Sequence, residues 1–291
     1  ADDPEKADPP VAEKPRPAAL DRPESTPKLG SLDPKTGFAL AADLSTRSGS
    51  IASIASNDPR YRNLEDRAIP LKIVGNSREE DPRTFEISIP FIDEQLEQYN
   101  RSTRDLNWAI VPGTETPHSV TFELTSPDNR LRVRKKYFLA ALDEKQRSVK
   151  GIRENEVAPY QLHVEISFEN LSKQKLELKY ELQGPVGIPL ENEENASKFR
   201  DVRWGLIDEE GAVDTDALTA ANVVDAYEED EVESWRNPLK FVGVDAQYFA
   251  ALVVPGGDQL ENNYFESVTP QVIEETKPAK NSNVSLLMQS K

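Results

Sequence analysis

Apolar and polar side chains alternate along most of this chain. From Leu29 onward apolar residues recur at every second position: Phe38, Leu40, Ala42 and Leu44; Ile69, Leu71 and Ile73; Phe85, Ile87, Ile89 and Phe91. A period of two places those side chains on one face of an extended backbone, so each run predicts a half-buried strand. Leu106 to Val111, Ser119 to Thr125 and Leu131 to Leu139 continue the series, separated by the turn-forming Pro112-Gly113 and Pro127-Asp128-Asn129. Leu162, Val164, Ile166 and Phe168, then Leu176, Leu178, Tyr180 and Leu182, predict an antiparallel pair joined through residues 169–174. Further strands are expected over Phe199 to Ile207, around Trp204, and over Tyr264 to Ile273, broken at Pro270.

One stretch departs from alternation. In Phe241 to Gly257, Tyr248, Ala250, Leu252 and Val254 share one side of a strand while Phe249, Ala251 and Val253 share the other, and neither side suits water. It predicts a central, fully covered strand, ended by Pro255-Gly256-Gly257. Gly243 marks a bulge or a close approach of backbone. Helix signals are few: Asp93 to Tyr99 is one, and Ala217 to Ala226 fits helix or strand equally. More than a dozen strands, at most two short helices and no repeat of roughly 20–50 residues predict an all-β protein, a large antiparallel two-sheet β-sandwich.

Composition sets the ends of that body. Residues 1–28 hold seven prolines, charges of both signs and almost no large apolar side chain. They predict a disordered, Pro-rich tether, leaving 29–291 as the folded domain. The first residue is Ala1, the sole methionine is Met288, and the last strand pattern ends abruptly, so the sequence reads as a domain cut from a longer protein, with its C-terminal continuation truncated. Against 35 Lys and Arg stand 52 Asp and Glu, a net charge of −17, which argues against general nucleic-acid binding. Without cysteine the chain has no disulfide or thiolate chemistry.

Candidate chemistry is sparse. The two histidines, His118 and His163, fall in a loop and on the polar side of a strand, and no spacing selects a carboxylate such as Glu165 or Glu177 as their partner. Nucleophile-elbow, phosphate-loop and zinc-helix patterns are absent. Residues 208–233 carry eleven acids and no base, but a calcium loop begun at Asp214 would put Thr219 where a glycine must turn the chain. Arg130, Arg132, Arg134, Lys135 and Lys136 are expected on the outer face of a strand, with Leu131, Val133 and Phe138 inward, and would suit a lipid headgroup. The expectation is therefore a non-enzyme with no catalytic, cofactor-binding or metal residues and no assignable partner-binding residue.

Gly243, Tyr248-Phe249 and the apolar run to Pro255 resemble the signature of the large periplasmic domain of the YidC membrane-protein insertases. Residues 30–38 (Gly-Ser-Leu-Asp-Pro-Lys-Thr-Gly-Phe), 57–62, 169–172 and 182–188 resemble segments of that domain in the same order, so the likeness spans roughly 29–291. It implies a β-supersandwich like that of galactose mutarotases, placed in the periplasm as part of a bacterial inner-membrane protein. It implies a non-catalytic chaperone role in membrane-protein insertion and protein transport. The implied partners are the protein's own transmembrane insertase core, Sec-translocon components and nascent membrane-protein substrates. Gly243, Tyr248, Phe249 and Pro255 are expected as core and turn positions rather than contacts. The competing expectation is a secreted carbohydrate-binding or aldose-epimerase-like sandwich, with Trp108, Trp204 or Trp235 as sugar platforms.

Overall fold

The computed structural model of the protein describes residues 17–63, 66–75, 78–142, 160–190, 198–236 and 238–291. Among them the chain is an all-β, antiparallel sandwich of sixteen strands with two α-helices, one four-residue α-helical turn and four three-residue 3-10 turns. The strands form four sheets of four. The first is β1 (Lys28–Gly30), β2 (Leu40–Ser45), β3 (Ser50–Ser56) and β4 (Lys72–Gly75), in that order. After β5 (Ile87–Ser88) and helix α1 (Pro90–Leu96), a second sheet runs β6 (Ala109–Ile110), β7 (Ser119–Thr125), β8 (Leu131–Leu139) and β9 (Leu162–Asn170). Next come β10 (Glu181–Gln183), β11 (Asp201–Ile207), β12 (Val213–Thr219), helix α2 (Ala220–Glu228), β13 (Leu239–Asp245), β14 (Ala250–Val253), the turn α3 (Gln259–Asn262), β15 (Ser267–Glu274) and β16 (Asn283–Gln289). They complete two sheets of order β15-β16-β10-β5 and β12-β11-β13-β14.

The alternation of β7 and β8 explains their packing. Val120, Phe122 and Leu124 face inward from β7, and Leu131, Val133, Tyr137 and Leu139 from β8, all buried against the β1–β4 sheet. There the Tyr137 hydroxyl donates to Gly49 O at 2.6 Å, and a Cβ on Gly49 would touch the Phe122 ring. The first and third sheets join edge to edge through residues 84–88. Ile51 N donates to Thr84 O (2.9 Å), Phe85 N donates to Gln183 O (3.0 Å), and β5 pairs with β10. One apolar cluster, from Leu29 to Met288, runs through all four sheets.

Both helices rest on small apolar faces. Pro90 opens α1, where its missing N–H costs nothing, and Ile92 and Leu96 are buried at i and i+4. The Asp93 carboxylate holds its start, accepting from Ile89 N (3.1 Å), Ser88 Oγ (2.6 Å) and Thr103 N (2.6 Å). The segment that fitted helix or strand equally is both: β12 runs to Thr219, whose hydroxyl caps α2 by accepting from Asn222 N (3.2 Å), and Ala220, Val223 and Val224 are buried.

Several expectations are corrected. The pair expected from 162–168 and 176–182 does not form. β9 lies beside β8 in register from Leu131↔Asn170 to Leu139↔Leu162, and residues 176–180 are irregular chain, with Phe168 stacked on Tyr180 at 5.1 Å. Strand β10 instead pairs with β16, the strand expected to be incomplete, which lies between β10 and β15. Pro270 does not break β15: it sits opposite Leu286 in the outermost strand of its sheet, where proline is tolerated, and its carbonyl accepts from the Tyr227 hydroxyl at 3.1 Å. The run Phe85 to Phe91 keeps only Ile87–Ser88 as strand, because Phe85 is left-handed (φ 63°) and the helix begins at Pro90. Of the expected tether, residues 1–16 lie outside the described residues. Residues 22–27 are fastened to the body: Arg22 Nη1 donates to Asn107 O (2.6 Å), Thr46 N to Ser25 O (3.0 Å) and Leu44 N to Pro27 O (2.9 Å).

Candidate functional site

The stretch expected to be a central strand is a hairpin at the edge of a sheet. β13 runs to Asp245, the chain reverses through residues 246–249, with Ala246 N donating to Phe249 O at 2.7 Å, and β14 returns antiparallel beside β13. Ala251 and Val253 lie opposite Val244 and Val242 and pack on the core. The other face is open: Tyr248 is 59 % exposed, Leu252 43 % and Val254 65 %. The alternation of Ala251 and Val253 with Ala250 and Leu252 is as expected, but only one face is covered, and Tyr248 and Phe249, expected within the strand, lie in the reversal. Among the described residues no strand pairs with the outer edge of β14, so its N–H and C=O groups there are not part of a ladder.

Gly243 is where the hairpin demands glycine. A Cβ there would lie 2.1 Å from Ala251 O and 2.8 Å from Leu252 Cα, so the close approach expected of this residue is present. Beyond the hairpin tip the Phe249 ring meets Tyr61 edge-on at 5.7 Å. A charged cluster borders the apolar edge. Asp245 Oδ2 accepts from Lys198 Nζ (2.6 Å) and Arg203 Nε (2.9 Å), and Lys198 also faces Asp201 at 3.6 Å. Burial pushes the Asp201 carboxyl upward, against the pull of Lys198. The edge of β14 thus offers an apolar strip and unladdered backbone beside fixed charges, a surface suited to another polypeptide.

The basic row is not the surface that was expected. Strand β8 alternates strictly, so Lys135 falls in the inward register with Val133 and Tyr137, while Phe138 points out and stacks on His163 at 4.3 Å. Lys135 is wholly buried. Its Nζ donates to Ser48 O at 2.9 Å and to Phe85 O, and lies 5.2 Å from the Trp108 ring centre. Both acceptors belong to residues with left-handed backbone, Ser48 (φ 55°) and Phe85 (φ 63°), so the ammonium pins two turns that only a donor at that point would hold. Burial lowers its pKa to about 7, against the smaller upward pull of Glu86. Burial also raises the Glu86 carboxyl, which sits 3.5 Å from Arg47 Nε. The arginines of the row are matched by carboxylates, Arg132 Nη1 to Glu169 (2.8 Å), Arg134 Nε to Glu123 (2.7 Å) and Arg130 Nε to Asp128 (2.7 Å), while exposed Lys136 places its Nζ 6.0 Å from the Phe138 ring centre. Such a ladder presents little free positive charge to a lipid headgroup.

The remaining candidates are scattered. His118 is exposed and its ring tilts against Phe38 at 4.8 Å; Glu165 and Glu177 are exposed, the latter 3.4 Å from Lys175. Among the described residues neither histidine meets a carboxylate pair. Trp108 is fully buried, and Trp204 stacks on Trp235 at 3.7 Å, so these rings serve packing rather than open platforms. The acids of 208–233 spread over the β11–β12 turn, exposed β12 and α2, and no metal-ligating cluster occurs among the described residues. Nor is any described helix long and apolar enough to cross a membrane. No protein-family model matches the chain, and no curated protein matches it.

Proposed function

We propose that this chain is a non-catalytic, periplasmic docking domain of a bacterial inner-membrane insertase of the YidC type. In this reading it binds its own membrane core, Sec-translocon components or nascent membrane proteins through the β14 edge. The observation that carries the reading is the exposure of Tyr248, Leu252 and Val254 in the very stretch that bears the family likeness. A large all-β sandwich also agrees with what that likeness implies. The finer architecture, a supersandwich like that of galactose mutarotases, belongs to the same proposal and is supported by the edge-to-edge join through residues 84–88.

The test replaces the apolar edge without touching the core. Leu252→Lys and Val254→Lys, made together in the full-length parent, place two charges on the open face of β14. In cells depleted of their own insertase, the double variant is expected to leave the domain folded by circular dichroism while failing to copurify partners and restoring growth poorly. Full rescue with wild-type copurification would refute the docking role of this edge.

A further inference from the structure

The second sheet ends on an edge unlike the others. At seven of the eight sheet edges the terminal strand is short or guarded: β1, β4, β5, β6 and β14 have two to four residues, β12 carries Asp214 and Asp216, and β15 carries Pro270. Such features keep a sheet from pairing with another chain. The eighth, β9, has nine residues, no proline, no lysine or arginine, and no bulge against β8. Among the described residues no strand pairs with its outer side, and residues 175–180 join no ladder. Its inward side chains are also incompletely covered. Val120, Phe122 and Leu124 of β7 and Leu131, Val133 and Tyr137 of β8 are buried, whereas Leu162, Val164, Ile166 and Phe168 of β9 are each half-buried. The apolar layer of this sheet stops unfinished at β9.

We propose that β9 pairs antiparallel with β9 of a second copy of this chain, about a two-fold axis through Ile166, joining two four-stranded sheets into one. The choice of partner comes from the register of charge. With Ile166 on the axis all nine residues pair. On the outer face His163 then meets Glu169 of the second copy and Glu165 meets its Ser167, so no acid faces an acid. On the inner face Val164 meets Phe168 and Ile166 meets its own copy, which carries the apolar layer across the join. Moving the axis to residue 165 sets Glu165 against Glu165, and moving it to residue 167 sets Glu165 against Glu169; like charges directly opposite are destabilising. Within each copy Arg132, Arg134 and Lys136 of β8 lie opposite Glu169, Ser167 and Glu165, so the acids brought to the join are balanced from behind. β12 fails the same test, since pairing with itself over its full length would set Asp216 against Asp216. A single pair of strands buries little area, so the dimer is one that forms at high concentration. β9 and β14 belong to different sheets, and this pairing does not depend on the docking edge.

Sedimentation equilibrium of the chain over a wide range of concentration measures the association, and Ser167 reports on its register. Ser167 is exposed and, in the dimer, lies between Arg134 of its own copy and Glu165 of the second. Ser167→Glu puts an acid opposite Glu165 on both sides of the axis and is expected to weaken dimerisation about tenfold. Because the new acid also faces Arg134, the monomer's melting temperature should not fall. Ser167→Lys gives Glu165 a cation and is expected to tighten the dimer by a similar factor. The chain has no cysteine, so His163→Cys and Glu169→Cys each introduce a single thiol. Mixed under oxidising conditions, these two variants are expected to form a disulfide-linked pair faster than either does alone, since directly paired residues lie about 4.5–5.5 Å apart at Cα, within disulfide reach. A monomer at every concentration, a dimer indifferent to both Ser167 substitutions, or crosslinking no faster in the mixture than in either variant alone would overturn the proposal.

Discussion

Replacing Lys135 by methionine removes a buried cation while preserving most of its volume, and the outcome depends on pH in a way fixed by its surroundings. An unfolded lysine titrates near 10.5, whereas in the fold burial lowers the value to about 7. Below about pH 7 both states hold the proton and stability does not vary with it. Between about 7 and 10.5 the unfolded chain binds the proton that the native state has lost, so the wild type gains stability as pH rises. At about 1.36 kcal/mol per unit, the gain is on the order of 5 kcal/mol when complete. Deprotonation does not sacrifice the bonds, because a neutral amine keeps two hydrogens for Ser48 O and Phe85 O. Methionine leaves both carbonyls unmet, at about 1–3 kcal/mol each. Urea unfolding of the wild type and Lys135→Met at pH 7 and pH 10 is therefore expected to show a destabilisation several kcal/mol larger at pH 10. Ionisations common to both proteins cancel in that difference. A loss that is the same at both pH values, or larger at pH 7, would refute the reasoning.

Three further outcomes follow from local geometry. Gly243→Ala drives a methyl into Ala251 O and should cost about 2–3 kcal/mol, with hydrogen exchange at 250–253 accelerating more than elsewhere. Gly187→Ala should cost about 3 kcal/mol in thermal melts, since Gly187 has φ +76° and its Cβ would fall 1.8 Å from Gly75 O. The Arg60 guanidinium, donating to both Asp58 oxygens, holds that carboxyl at about 2 rather than 3.8. Its contribution is complete above pH 3.8 and is lost as pH falls towards 2, so Asp58→Asn should cost about 1 kcal/mol or less at pH 7, given its partial exposure, and close to nothing at pH 2.

Much of this architecture is written in local alternation. The limits of β7 and β8 follow from period two alone, because each strand has one dry face and one wet face. What local pattern cannot supply is pairing across distance: β10 finds β16 about a hundred residues away, so nothing near Glu181–Gln183 announces its partner. Nor does local pattern separate edge from centre in residues 241–257. A hairpin with apolar side chains on its open face carries the same residue pattern as a strand covered on both faces, and its reversal at 246–249 contains neither glycine nor proline. Lys135 was legible in principle. The register of Leu131, Val133, Tyr137 and Leu139 passes through it, but charge suggested an outward side chain where register dictated an inward one.

The docking edge proposed for β14 is best tested by photocrosslinking in membranes, with a photoreactive residue placed in turn at Tyr248, Leu252 and Val254 of the insertase that the proposal implies and, as a control, at exposed Asp214 on β12. Discrete adducts from the three edge positions, stronger than any from position 214, are the predicted result. Labelling at the edge no stronger than at position 214 would contradict the assignment of this hairpin as the docking surface.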